Sequence, residues 1–258
     1  MEDSGVISRP LVIHLYENNT FMKIEKLIVE FSVVFLGVFS AQAQGTFQNL
    51  DFESANLSAI PSGQYGGEVS LSSALPEWNG SIGSVQVTQV LQNDYTLGTA
   101  SIDIFGPNWN SVNPGIISGS YTVFLQSGGN PYNADMPANT SLSQDGAIPS
   151  NAESLHFSAW NIQGSAPLSV SFAGHSLSLV DLYSGQSPSG QSYNVYGANV
   201  APYAGQSGQL EFTAVFPNWI ELDDISFSPQ SVPEPSPLVL TGAGALVFAL
   251  YRRFAPKR

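Results

Sequence analysis

The sequence contains no cysteine, so no disulfide staples the fold, and thiolate metal sites and thiol chemistry are excluded. Charge is scarce as well: only 10% of the 258 residues are charged, 20 acidic against 7 basic. The basic residues are Arg9, Lys23, Lys26, Arg252, Arg253, Lys257 and Arg258, so no Lys or Arg lies between Leu27 and Tyr251. Nucleic-acid binding needs clustered cations to displace counterions, and clamping a phosphate or carboxylate needs arginine. Both functions are therefore set aside. There is no G-x-S-x-G elbow and no H-E-x-x-H helix, which removes the best-marked hydrolase motifs.

The chain does carry two address-like ends. Lys23 and Lys26 precede the apolar run Phe31–Phe39, followed by Ala41-Gln-Ala43. A basic stretch, a short apolar run and a small-x-small site read as a secretory signal over residues 22–43, with cleavage after Ala43. Residues 1–21 are polar and lack signal character, so Met22 is the expected start and 1–21 an upstream extension. At the other end Val232-Pro-Glu-Pro-Ser236 leads into the apolar stretch 238–251 and then Arg252, Arg253, Lys257 and Arg258. The prolines keep the chain extended, and the cations favour retention of the tail on the cytoplasmic side.

Pro233, Glu234 and Pro235, the apolar stretch and the basic tail together resemble the PEP-CTERM sorting signal of exopolysaccharide-producing Gram-negative bacteria. The resemblance implies passage through the Sec translocon, a transmembrane helix at 238–251, and recognition by an exosortase-type membrane transpeptidase. It further implies export to the cell envelope, surface or extracellular matrix.

Between the ends, residues 44–228 are rich in Gly, Ser, Asn, Gln and aromatics, with alternating runs separated by turn residues; a Pro/Ser linker occupies 229–237. The runs are 67–72, 84–90, 100–105, 120–125, 154–160, 168–172, 175–180, 209–215 and 220–227. Period-two alternation without a helical period predicts half-buried antiparallel strands. The expected fold class is therefore all-β, an antiparallel β-sandwich flanked by an N-terminal signal helix and a C-terminal transmembrane helix.

Phe47-Gln-Asn-Leu-Asp-Phe-Glu53 near the start and Leu222-Asp-Asp-Ile-Ser-Phe227 at the end resemble the first and last strands of galactose-binding-like jelly rolls, the fold of many carbohydrate-binding modules. That resemblance implies a structural Ca2+ held where those strands meet, by backbone carbonyls with Glu53 and Asp223, and with Asp224 or Asp51 as substitutes. Calcium's demand for six to eight oxygen ligands agrees with carboxylates and carbonyls. The segment 44–235 carries fifteen acidic residues and no cation. Each buried carboxylate must therefore find hydrogen-bond donors, take a proton or bind a metal.

His156 and His175 are the only histidines in this segment, and neither sits in a catalytic motif. They are read as structural or solvated, and the protein as non-enzymatic. A sugar site would use exposed ring faces with amides and hydroxyls. Trp109, among the turn residues Gly106-Pro-Asn-Trp-Asn-Ser, is the first candidate ligand-binding ring; Tyr132, in Gly129-Asn-Pro-Tyr-Asn, is the second. Trp78, Trp160 and Trp219 fall in or beside alternating runs and are assigned to the core. The expected function is association with exopolysaccharide. The alternatives are an acidic matrix protein cross-linked by divalent cations, or a polysaccharide-degrading enzyme.

Overall fold

The computed structural model describes residues 46–111, 114–160 and 168–232. The expected signal with Ala41 and Ala43, the motif Pro233, Glu234 and Pro235, the apolar stretch and Arg252, Arg253, Lys257 and Arg258 lie outside the described residues. Among the described residues no helix is long and apolar enough to cross a membrane. Everything described belongs to the compact unit Gln42–Arg258.

Among the described residues sixteen strands make an all-β fold: β1 (Glu68–Ser70), β2 (Asn79–Ile82), β3 (Val85–Val87), β4 (Gln89–Gln92), β5 (Ser101–Phe105), β6 (Thr122–Gln126), β7 (Gly128–Asn130), β8 (Asn133–Ala138), β9 (Thr140–Ala147), β10 (Ser154–Trp160), β11 (Leu168–Phe172), β12 (His175–Ser176), β13 (Leu179–Gln186), β14 (Ser192–Asn199), β15 (Ser207–Ala214) and β16 (Trp219–Ser228). One sheet has eight strands in the order β1-β4-β5-β6-β16-β10-β14-β13, the facing sheet has six, β12-β11-β15-β9-β2-β3, and β7 and β8 pair as a separate two-stranded sheet. Pairing is antiparallel except between β4 and β5.

The alternating runs at 100–105, 154–160, 168–172, 209–215 and 220–227 become β5, β10, β11, β15 and β16. Three runs are broken, among them 175–180, which divides after Ser176 into β12 of the six-stranded sheet and β13 of the eight-stranded one. After Ser70 the run 67–72 turns into one helical turn, Leu71–Ala74, because the Ser70 hydroxyl accepts the Ser73 N–H and caps it. The run 84–90 divides at Thr88, putting β3 in one sheet and β4 in the other.

In β15, Leu210, Phe212 and Ala214 are buried while Ser207 and Gln209 are exposed, the pattern of a strand with one dry face. Phe47, Phe52, Phe157, Phe172, Phe212 and Phe227 are each within 2% of complete burial and fill the space between the sheets. Each is worth roughly 1.5–3 kcal/mol of transfer free energy, which carries the stability of a domain without disulfides. The opening and closing phrases do meet: Ile225 N–H donates to the Leu50 carbonyl at 2.9 Å and Phe47 stacks on Phe227 at 5.5 Å. The opening phrase, however, runs as turns rather than a first strand, with Asn49 and Phe52 at positive φ.

Candidate functional site: a ring-walled groove over a row of buried acids

Residues β5, β6 and β16 place opposite one another share a face of the eight-stranded sheet. Ile102, Ile104, Val123, Leu125, Ile220 and Leu222 point into the core between the sheets. Their neighbours form three rows on the opposite, outer face: Ser101–Gln126–Trp219, then Asp103–Phe124–Glu221–Trp160, then Phe105–Thr122 with Asp223 bonded alongside. All five residues of β5 and of β6 are buried. The outer face is therefore dry too, and the half-buried expectation fails for these two strands.

What dries it is a second aromatic layer. Trp109 lies flat on Phe105 at 4.5 Å and 8°, Phe105 packs on Phe124 at 5.4 Å, Phe124 on Trp219 at 5.4 Å and Trp219 on Trp160 at 4.9 Å. Tyr95 bridges Trp109 and Phe124 at 6.2 and 6.3 Å. At the Trp219 end this layer opens into a groove of about 590 Å³, walled by Tyr95, Phe124, Trp160 and Trp219 and edged by Leu97, Pro114 and Pro217. Thr96, Gln126 and Ser127 add polar groups. Gln126 Nε2 donates to Thr96 Oγ1 at 2.6 Å and to the Thr99 carbonyl at 2.9 Å, and Ser127 Oγ donates to the Asn218 carbonyl at 2.5 Å.

Behind the rings sit three carboxyl groups that are 0% exposed, Asp103, Glu221 and Asp223. Burial raises all three above the ordinary carboxylate range. Asp103 accepts from Ser101 Oγ at 2.8 Å, yet its Oδ1 has no partner among the described residues. Glu221 accepts the Gly115 N–H at 2.6 Å, while its Oε2 likewise has none. Burial pushes Glu221 up to about 8; the Gly115 N–H opposes this and the Asp223 charge adds to it. With no cation in reach, a proton is the remaining way to keep such a group inside.

Glu53 and Asp223 take the other route, hydrogen-bond donors. Glu53 Oε1 accepts the N–H groups of Ser120 at 2.7 Å and Tyr121 at 3.0 Å. Asp223 Oδ2 accepts Thr122 Oγ1 at 2.6 Å and the Ser118 N–H at 3.1 Å, and its Oδ1 accepts the Asp224 N–H at 2.8 Å. The segment 114–121 is thus strapped over the outer face by carboxyl oxygens. Gly119 is needed here, at φ 54°, because a Cβ would run into the Glu53 carboxylate.

The calcium expectation does not fit the set Glu53, Asp223 and Asp224 as a whole. Both oxygens of Asp223 are committed to the fold. Among the described residues no group of three or more His, Asp or Glu side chains is placed to hold a metal. Asp224 is exposed at φ 49°, and burial of part of its side chain raises it, with the charges of Asp51 and Glu53 adding.

The candidate rings fall apart in space. Trp109 is half-buried with one face covered by Phe105, and its Nε1 donates to the Pro114 carbonyl at 2.9 Å; it lines a recess of about 130 Å³ with Tyr65 and Asn108. Tyr132, 55% exposed, lines a different cavity of about 500 Å³ beside Val85 and Thr99. Trp78 is in the core, its Nε1 donating to the Asn49 carbonyl at 2.9 Å. Trp160 and Trp219 are not: both are half-buried and wall the groove, a correction to their assignment. Their signal was the shared period of Trp219, Glu221 and Asp223. His156 is half-buried against Ser154 Oγ at 3.0 Å, and burial lowers its pKa; His175 stacks on Tyr203.

No family model matches the chain. No curated protein sequence matches it. Solved structures to which it is similar include a cleaved adhesin domain of Lys-gingipain, 16% identical over 73% of this chain and 98% of that one, TM-score 0.36. Another is the enzymatically active domain of tailspike protein 4 of bacteriophage CBA120, 12% identical over 59% of this chain and 19% of that one, TM-score 0.30. At such scores neither bears on the site, and the sandwich rests on its own strand pairing.

Proposed function

We propose that this domain is the glycan-binding part of an exported surface or matrix protein, sorted by the Pro233-Glu234-Pro235 signal and acting without catalysis. The observation that carries the reading is the groove of about 590 Å³ walled by Tyr95, Phe124, Trp160 and Trp219. Ring faces flanked by hydroxyls and amides suit the apolar faces and hydroxyl edges of sugars. A jelly-roll, galactose-binding-like topology is part of the proposal, supported by the meeting of the opening and closing phrases.

A degrading enzyme has less support. Glu221 has the proton affinity of a general acid, but its Oε1 holds the strap and its Oε2 is sealed from solvent. Calcium stays in the proposal only in a reduced form, as a weak ion at the exposed Asp224 carboxylate, where the charges of Asp51 and Glu53 raise the proton affinity and a divalent cation would offset them.

Affinity electrophoresis of the full-length protein in gels containing soluble polysaccharides tests the reading. Retardation by at least one glycan is expected, and Trp219→Ala and Trp160→Ala are each expected to weaken it about tenfold, the loss of one stacked ring. Retardation that both variants leave intact would move the site elsewhere.

A further inference from the structure

The charge and the hydrogen-bond economy of the groove define what kind of glycan it takes. Of the side chains that line it, Thr96, Gln126 and Ser127 have already given their protons away. Thr96 Oγ1 donates to the Thr99 carbonyl, and Gln126 Nε2 is used twice, on Thr96 Oγ1 and the Thr99 carbonyl. Ser127 commits both its donors to one acceptor, its hydroxyl at 2.5 Å and its N–H at 3.0 Å to the Asn218 carbonyl. What these groups offer to a ligand is lone pairs. A sugar hydroxyl can donate to them; a carboxylate, sulfate or phosphate, which only accepts, cannot.

Charge points the same way. No Lys or Arg lies between Leu27 and Tyr251, so no cation of this segment can pair with a ligand anion. Asp94 adjoins the ring of Tyr95 in sequence, and its carboxylate accepts the Tyr95 N–H at 2.8 Å. An anion seated against Phe124 would lose its water and gain no cation, in a segment 44–235 that carries fifteen acidic residues and no basic one.

We infer that the groove takes glycan segments free of anionic substituents and turns away those bearing uronate, sulfate or phosphate. This rests on the glycan-binding reading above, and it sharpens that reading into a choice between two halves of exopolysaccharide chemistry.

The test compares one backbone with and without charge: dextran against dextran sulfate, and hydroxyethyl cellulose against carboxymethyl cellulose, with the full-length protein and its Trp219→Ala variant. For the backbone that binds, the charged form is expected to bind at least about tenfold more weakly at roughly 20 mM salt. The gap should narrow towards about 500 mM as the repulsion is screened. A charged form that binds as tightly as its neutral parent, with both lost in Trp219→Ala, overturns the inference and leaves the groove as the binding site. Binding of neither form, or binding that Trp219→Ala does not touch, overturns the glycan reading itself and the inference with it.

Discussion

The two sheets of the sandwich share one core but treat their outer faces differently. In β11 of the six-stranded sheet, Leu168, Val170 and Phe172 are buried while Ser169 is exposed, so the outer face is given to water. In β5 and β6 of the eight-stranded sheet both faces are buried, and the outer one carries Ser101, Asp103, Thr122, Phe124 and Gln126 under rings and a strap. A polar face that a fold keeps dry costs desolvation, since its carboxyl groups must be bonded or protonated. The cost falls on the same strands that hold the groove, which locates the specialised part of the molecule on that sheet.

Removing a ring from the covered face is the strongest way to break the contrast. Phe124→Ala should destabilise the domain by about 3–5 kcal/mol, as a buried aromatic truncation does. Ser169→Ala on the wet face should stay within about 0.5 kcal/mol. Urea midpoints read the difference, and equal effects would mean that the second layer contributes no packing.

The next largest effect is on pH. Glu221 titrates at 4.5 in the unfolded reference and about 8 in the fold. Between those values the folded state holds the extra proton, so this contribution is complete below about 4.5 and is lost as pH rises through about 8. At about 1.4 kcal/mol per pH unit its size is up to about 5 kcal/mol. Thermal melts should therefore fall in temperature from pH 5 to pH 8, and Glu221→Gln should flatten that fall. A melting temperature that rises across this range would show Glu221 to be ionised and paired.

Smaller again is the strap. Gly119→Ala should cost about 1–2 kcal/mol, from positive φ and the collision with Glu53, and it should speed hydrogen exchange at the amides of Ser120 and Tyr121 beyond any change in β15. The smallest effect is calcium's. Excess EDTA is expected to lower the melting temperature by about 2 °C, in line with a weak, exposed site; an unchanged value removes calcium from the account.

Several elements were legible because strand chemistry is local. The alternation of Gln209–Val215 and Ile220–Phe227 shows which residues share a face, whatever packs on them. Trp160 and Trp219 were misassigned for the complementary reason. Alternation separates Trp219, Glu221 and Asp223 from Ile220 and Leu222, but it does not say which face meets the other sheet and which meets a loop. The segments 106–111 and 114–121 that cover the outer face lack any period, so the docking through the Gly115 and Ser118 amides was invisible. Trp109 was visible as a loop ring; that it would lie flat on Phe105, fifteen or so angstroms of extended chain having folded back, was not.

Composition and alternation alone settle that the domain is all-β, that no disulfide and no internal Lys/Arg ion pair holds the segment 44–235, and that its carboxylates find no cation within it. Long-range packing supplied the means: amides for Glu53, amides and the Thr122 hydroxyl for Asp223, and burial with a raised proton affinity for Asp103, Glu221 and Asp223. The division follows from range. Composition and alternation act within a strand, whereas the environment of a carboxyl group is set by whichever distant segment the chain brings over it.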